Sequence, residues 1–153
     1  TPIGVVLIKN GDEVGPAPEI YNIGTLSGIT YWHKRSDGLL GITLTATQRF
    51  KIKDTQVSDS QLMTANIEVI ENLDALNVGD ENRYFISILE QILDQLGPPF
   101  KTIQRFTDNI EWVSARLIEL LPTELETKQA LLESNDIEER LTRIEFILKD
   151  AKH

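Results

Sequence analysis

The sequence predicts an α+β fold, a small β-barrel or strongly curled sheet followed by a helical bundle. Apolar residues recur with strand periods over roughly the first 73 positions and with helix periods thereafter. The change falls near "LDALNVGD", Leu73 to Asp80. Charge divides there too: 6 basic and 8 acidic residues precede position 74 and 9 and 16 follow it, net -2 against -7 of a total of -9. The expected organisation is a β subdomain over 1–73 and a helical subdomain over 74–153.

In the first half "IGVVLIK", Ile3 to Lys9, is an unbroken apolar run of strand length, as in a strand covered on both faces. "DGLLGITLTA" alternates, with Leu40, Ile42, Leu44 and Ala46 on one side and Gly41, Thr43 and Thr45 on the other. Asp37-Gly38 ahead of it is a hairpin turn, because Gly takes positive φ at little steric cost. Ile23 to Lys34 therefore pairs with Leu39 to Ala46. "RFKIK" sets Phe50 and Ile52 against Arg49, Lys51 and Lys53, and "MTANIEV" groups Met63, Ala65, Ile67 and Val69. Five short strands of this kind suit a small barrel or curled sheet. Gly24 and Gly28 within one strand predict a bulge or sharp bend.

The second half opens with Tyr84, Phe85, Ile88, Leu89, Ile92 and Leu96 at helical spacing, stopped by Gly97-Pro98-Pro99. Another helix carries Ile110, Val113, Leu117, Leu120 and Leu121 and ends before Pro122. Thr123 with Glu126, and Asn135 with Glu138, have the spacing of capping boxes. They predict two helices joined at Ser134-Asn135-Asp136, the second burying Ile137, Leu141, Ile144, Ile147 and Leu148. Such a pair invites comparison with a helix-turn-helix. The second helix, however, sets Asp136, Glu138, Glu139, Glu145 and Asp150 against Arg140, Arg143 and Lys149, a surface that repels DNA. Glu139 with Arg143 and Glu145 with Lys149 read instead as i,i+4 pairs.

Composition narrows the chemistry. Without Cys, neither disulfides, thiolate metal sites nor Cys nucleophiles form, which suits a reducing compartment and makes the cytoplasm the expected location. A net charge of -9 disfavours nucleic acid as a partner. No apolar run approaches the roughly 18 to 20 residues of a membrane span, so no membrane association is expected. The chain opens Thr1-Pro2 without Met, as a processed product or an excerpt does. Two His residues, His33 and His153, and no Gly-x-Ser-x-Gly elbow give little basis for a nucleophilic triad. His-Glu-x-x-His, EF-hand and Gly-x-x-x-x-Gly-Lys patterns are missing. No catalytic residue, metal ligand or cofactor is therefore assigned, and "GDEVGPAP", Gly11 to Pro18, reads as an exposed connection.

Aromatic residues remain. Tyr31 and Trp32, beside a solvated His33 on the hairpin, and Phe100 and Phe106, after Gly97-Pro98-Pro99, are the candidate residues of an apolar peptide-binding groove. The competing expectation is that strand alternation turns one of Tyr31 and Trp32 into the core.

Taken in order, "GVVLI", "IGTLSGI", "DGLLGITL", "RFKI", "WVSARLIELLP", "KQALLE" and "ERL" resemble the LON domain, the amino-terminal substrate-recognising domain of ATP-dependent Lon proteases, which also occurs as stand-alone bacterial proteins. The resemblance spans nearly the whole chain. It implies a PUA-like β subdomain followed by a small helical bundle, and no catalysis, since the family's ATPase and Ser-Lys peptidase domains are separate. The family's opening segment, with a Phe-Pro-Leu strand and a Phe-Glu-x-Arg-Tyr helix, has no counterpart here, which predicts an incompletely closed barrel with an exposed sheet edge. Relatives often have Gly before the Arg-Phe pair, where this sequence reads Thr45-Ala46-Thr47-Gln48, so a tight glycine turn is not expected.

The function that follows is non-catalytic binding of unfolded or degron-bearing polypeptides, as an adaptor with or without a protease partner. The second reading is a PUA-like RNA-binding module using Arg49, Lys51 and Lys53. The third is an enzyme in which His33 meets a carboxylate.

Overall fold

In a computed structural model, which describes residues 2–73 and 77–152, the stretches expected as two strands, 39–46 and 49–53, form one. Six strands are present among the described residues: β1 (Ile3–Val5), β2 (Ile8–Asn10), β3 (Glu19–Ile20), β4 (Ile23–Lys34), β5 (Leu40–Val57) and β6 (Met63–Ile70). The chain divides into two compact units, Thr1–Asn72 and Leu73–His153. The expected boundary between residues 73 and 74 runs into positions outside the described residues, as does His153.

The first unit holds an antiparallel sheet in the order β1-β4-β5-β6, with β2 and β3 as a separate pair. The Asp37-Gly38 turn forms as expected: Gly38 has a φ of +86° and donates its N-H to the Arg35 carbonyl at 3.0 Å, while Arg35 N-H donates to the Leu39 carbonyl at 2.8 Å. The apolar run from Ile3 does not form one covered strand. It splits between β1 and β2, and Ile3 and Val5 are exposed, because β1 is a three-residue edge strand with β4 as its neighbour.

Three bulges keep β5 continuous. Register shifts place Thr47 and Lys53 as extra residues on β5 and Thr30 as an extra residue on β4. Two of the three bulged residues are threonines whose hydroxyls bond across the gap, Thr47 Oγ1 donating to the Leu26 carbonyl at 3.2 Å and Thr30 Oγ1 lying 3.2 Å from Thr45 Oγ1. A single inserted residue sends the following side chains to the other face. Leu40, Ile42 and Leu44 therefore lie on the opposite face from Phe50 and Ile52, although all five occupy even positions. Among the described residues of this unit Phe50 is the buried apolar side chain, packed over Gly4 and Gly24, where a Cβ would come within 3.1 Å of its ring. At Gly24 a Cβ would also run into the Val5 carbonyl, so glycine lets β1 close onto β4.

The second unit contains α1 (Arg83–Gln95), α2 (Ile110–Leu120), α3 (Leu125–Glu133) and α4 (Ile137–Asp150), with α2 contacting the other three. Phe85, Leu89 and Leu93 of α1 meet Val113 and Leu117 of α2, Leu131 of α3, and Leu141 and Ile144 of α4 in one apolar core. Both expected capping boxes are corrected. Thr123 lies outside α3, its N-H donating to the Leu121 carbonyl at 3.0 Å, and the N-cap is Glu124 without a side-chain bond. For α4 the cap moves one residue from Asn135 to Asp136, whose Oδ1 accepts from Glu139 N-H at 3.2 Å. Ser134 completes the turn, its hydroxyl accepting from Asp136 N-H at 3.2 Å and donating to Glu139 Oε2 at 3.1 Å. Arg140, expected on the solvent face, is 3 % exposed. Its guanidinium donates to Ser114 Oγ and to the Ser134 carbonyl, both at 3.2 Å, and lies 3.7 Å from Glu111 Oε1, which ties α4 to α2 and to the preceding turn. Lys149 and Glu145 form the expected pair at 2.9 Å.

Candidate peptide-binding site

The β4–β5 hairpin extends beyond the part of the sheet covered by Phe50, and its register decides which side chains share a face. Trp32 lies opposite Ile42, Lys34 opposite Leu40, and Ile29 opposite Leu44. Directly opposed and alternate residues share one face of a sheet, so Trp32, Leu40, Ile42 and Leu44 make one apolar row with Lys34 at its outer end. Trp32 is 56 % exposed and Leu40 63 %, with Ile42 and Leu44 also exposed. Exposed apolar side chains that share one sheet face in this way are a candidate interaction surface.

Tyr31 falls on the other face, opposite Thr43, and is 61 % exposed. Neither aromatic residue therefore enters the core, contrary to the expectation from strand alternation, because no layer covers either face of the outer hairpin within this unit. The Tyr31 and His33 rings stack with centroids 5.7 Å apart, and His33 lies over Gly41, where any side chain would collide with the imidazole. His33 is solvated and acts as packing for the glycine gap.

The other two candidate residues belong to the helical unit. Phe100, in a single helical turn after Pro99, packs against the apolar core. Phe106 is 44 % exposed and meets Trp112 edge-on, with centroids 5.8 Å apart. An open depression of about 530 Å³ in this unit is lined by Val78, Arg83, Ile86, Ser87, Thr107 and Asp108, and its two apolar walls offer less than the hairpin row.

Charge on the hairpin differs from that of the whole. Residues 23–57 carry five basic and two acidic side chains, net +3 in a chain of net -9. They do not form a free basic stripe. Arg49 is buried, Lys53 is a bulge residue bonded to Glu68 at 2.9 Å, and Arg35 pairs with Asp37 at 3.1 Å. The Lys53 ammonium, as hydrogen-bond donor and as charge, holds the Glu68 carboxyl below the ordinary glutamate range.

Sequence periodicity assigned Leu40, Ile42 and Leu44 to a half-buried face and passed over Lys34 as a site residue. Alternation reports which side chains share a face, not whether another layer covers that face. The bulge at Thr47, which separates this row from Phe50, leaves no trace in an uninterrupted even-numbered pattern.

The model of the ATP-dependent protease La (LON) substrate-binding domain matches residues 1–150. This chain belongs to that family. The LON domain described here is similar to the crystal structure of a Lon N-terminal domain protein from Xanthomonas campestris, with a TM-score of 0.72 and 26 % identity over 94 % of this chain and 74 % of that one. It shares its fold with the N-terminal domain of Mycobacterium avium complex Lon protease, with a TM-score of 0.56 and 15 % identity over 96 % of this chain and 77 % of that one. No curated protein sequence matches it.

Proposed function

We propose that this LON domain recognises unfolded or degron-bearing polypeptide segments by docking their apolar side chains on the Trp32–Ile42–Leu40 face of the β4–β5 hairpin, without itself catalysing a reaction. The observation that carries the reading is the exposed apolar row, held in register by eleven cross-strand partners of β4 and β5. An aromatic residue with few rotatable bonds beside aliphatic ones provides contact area at low entropic cost, as binding hot spots require. The edge of β6, eight residues long and lacking an outer neighbour among the described strands, offers main-chain hydrogen bonds to an extended segment that reaches it. As an adaptor the domain supplies binding and leaves cleavage to a protease partner. The RNA-binding alternative loses support because two of its three cations, Arg49 and Lys53, are buried or ion-paired.

Binding of the full chain to an array of peptides from unfolded proteins tests the reading. Apolar segments are expected to be retained, and Trp32→Ala, at an exposed position, is expected to weaken them about tenfold or more while leaving the far-ultraviolet spectrum unchanged. Equal retention of polar and apolar peptides contradicts it.

A further inference from the structure

We propose that the hairpin face selects apolar segments flanked by acidic residues, with Lys34 reading the flanking carboxylate. The inference rests on the polypeptide-binding reading and adds a charge requirement to it. Lys34 lies two residues beyond Trp32 on the same strand and face, about 7 Å away at the rise of a β-strand, and directly opposite Leu40. The neighbouring cation, Arg35, is already paired with Asp37 at 3.1 Å, whereas no ion pair involving Lys34 is seen among the described residues. Lys34 is thus the charge at the end of the apolar row that an incoming anion can use.

Within a Debye length of about 8 Å at physiological salt, local charge outweighs the acidity of the rest of the chain. A segment that seats an apolar side chain against Trp32 and Ile42 therefore brings a residue two positions along the extended peptide beside the Lys34 ammonium. Glutamate or aspartate there gains an ion pair at the rim of an apolar contact. Lysine or arginine there meets a like charge, which suppresses wrong partners more effectively than it rewards right ones.

Fluorescence anisotropy with three labelled peptides sharing one apolar core, flanked by Glu, Ser or Lys, tests the assignment on the full chain and on Trp32→Ala and Lys34→Glu. The expected order is Glu over Ser over Lys, with at least a tenfold spread between the extremes at low salt that shrinks at 0.5 M salt (about a 4 Å Debye length). Lys34→Glu is expected to reverse the order, and Trp32→Ala to weaken all three peptides. Equal binding of the three peptides by the wild type, or an order unchanged in Lys34→Glu, overturns the charge requirement while Trp32-dependent binding keeps the polypeptide reading. Binding that survives Trp32→Ala removes the hairpin face from both. Competition by a structured RNA at the same site overturns the inference by assigning Lys34 to phosphate.

Discussion

Two tight turns in the sheet unit place the same backbone demand on different residues. Gly38 at the β4–β5 turn has a φ of +86°, and Gln61 at the β5–β6 turn has a φ of +65°. Their hydrogen bonds match: Arg35 N-H to Leu39 O and Gly38 N-H to Arg35 O in one, Ser58 N-H to Leu62 O and Gln61 N-H to Ser58 O in the other. A side chain in the left-handed region costs on the order of 1 kcal/mol relative to glycine. Gln61→Gly is accordingly expected to raise unfolding stability by about 0.5–1 kcal/mol, and Gly38→Ala to lower it by about 1 kcal/mol or more, read as shifts in urea midpoint at constant slope. The first turn was legible in the sequence because Asp37-Gly38 announces it. The second was not, because Gln61 carries no positive-φ preference and is held there by Ser58, whose hydroxyl accepts from Leu62 N-H at 3.1 Å. Arg140 was illegible for a related reason: it stands among acids on α4, and only the fold brings Ser114 and Ser134 to meet it.

Among the elements, helices were easier to anticipate than strands. The apolar stripes of α2 and α4 name residues that do reach the core, since a 3.6-residue period survives small boundary errors. That of α1 does so at Phe85, Ile88, Leu89 and Ile92, but it includes the exposed Tyr84 and omits the buried Leu93. Caps depend on a single residue and do not. Asp136, the actual N-cap of α4, is expected to cost about 1 kcal/mol of stability when changed to Ala, whereas Thr123→Ala is expected to change little, because Thr123 lies outside α3. Comparable losses from the two substitutions in thermal unfolding would restore the capping box predicted at Thr123. Strand β5 shows the opposite balance. Its apolar positions were readable, yet the bulges at Thr47 and Lys53 decide their facing, and a bulge is a tertiary solution to sheet curvature that periodicity does not record. The candidate site inherits that limit: Trp32 was visible, while the row it belongs to became visible only with the register.

At the scale of the molecule, the two units use their apolar residues differently. The helical unit encloses its leucines and isoleucines around α2. The sheet unit buries Phe50 and leaves Trp32, Leu40, Ile42 and Leu44 on an outward-facing hairpin, in a family whose matched model is a substrate-binding domain. Apolar surface that a fold leaves uncovered at such a density is surface available to a partner. Amide hydrogen exchange on the full chain, with and without a saturating apolar peptide, tests that account most directly. It predicts that the peptide slows exchange chiefly in residues 29–44 of the hairpin, with α1, α2 and α4 already protected in the free chain. Slowed exchange confined to the helical unit, with the hairpin unchanged, would contradict it.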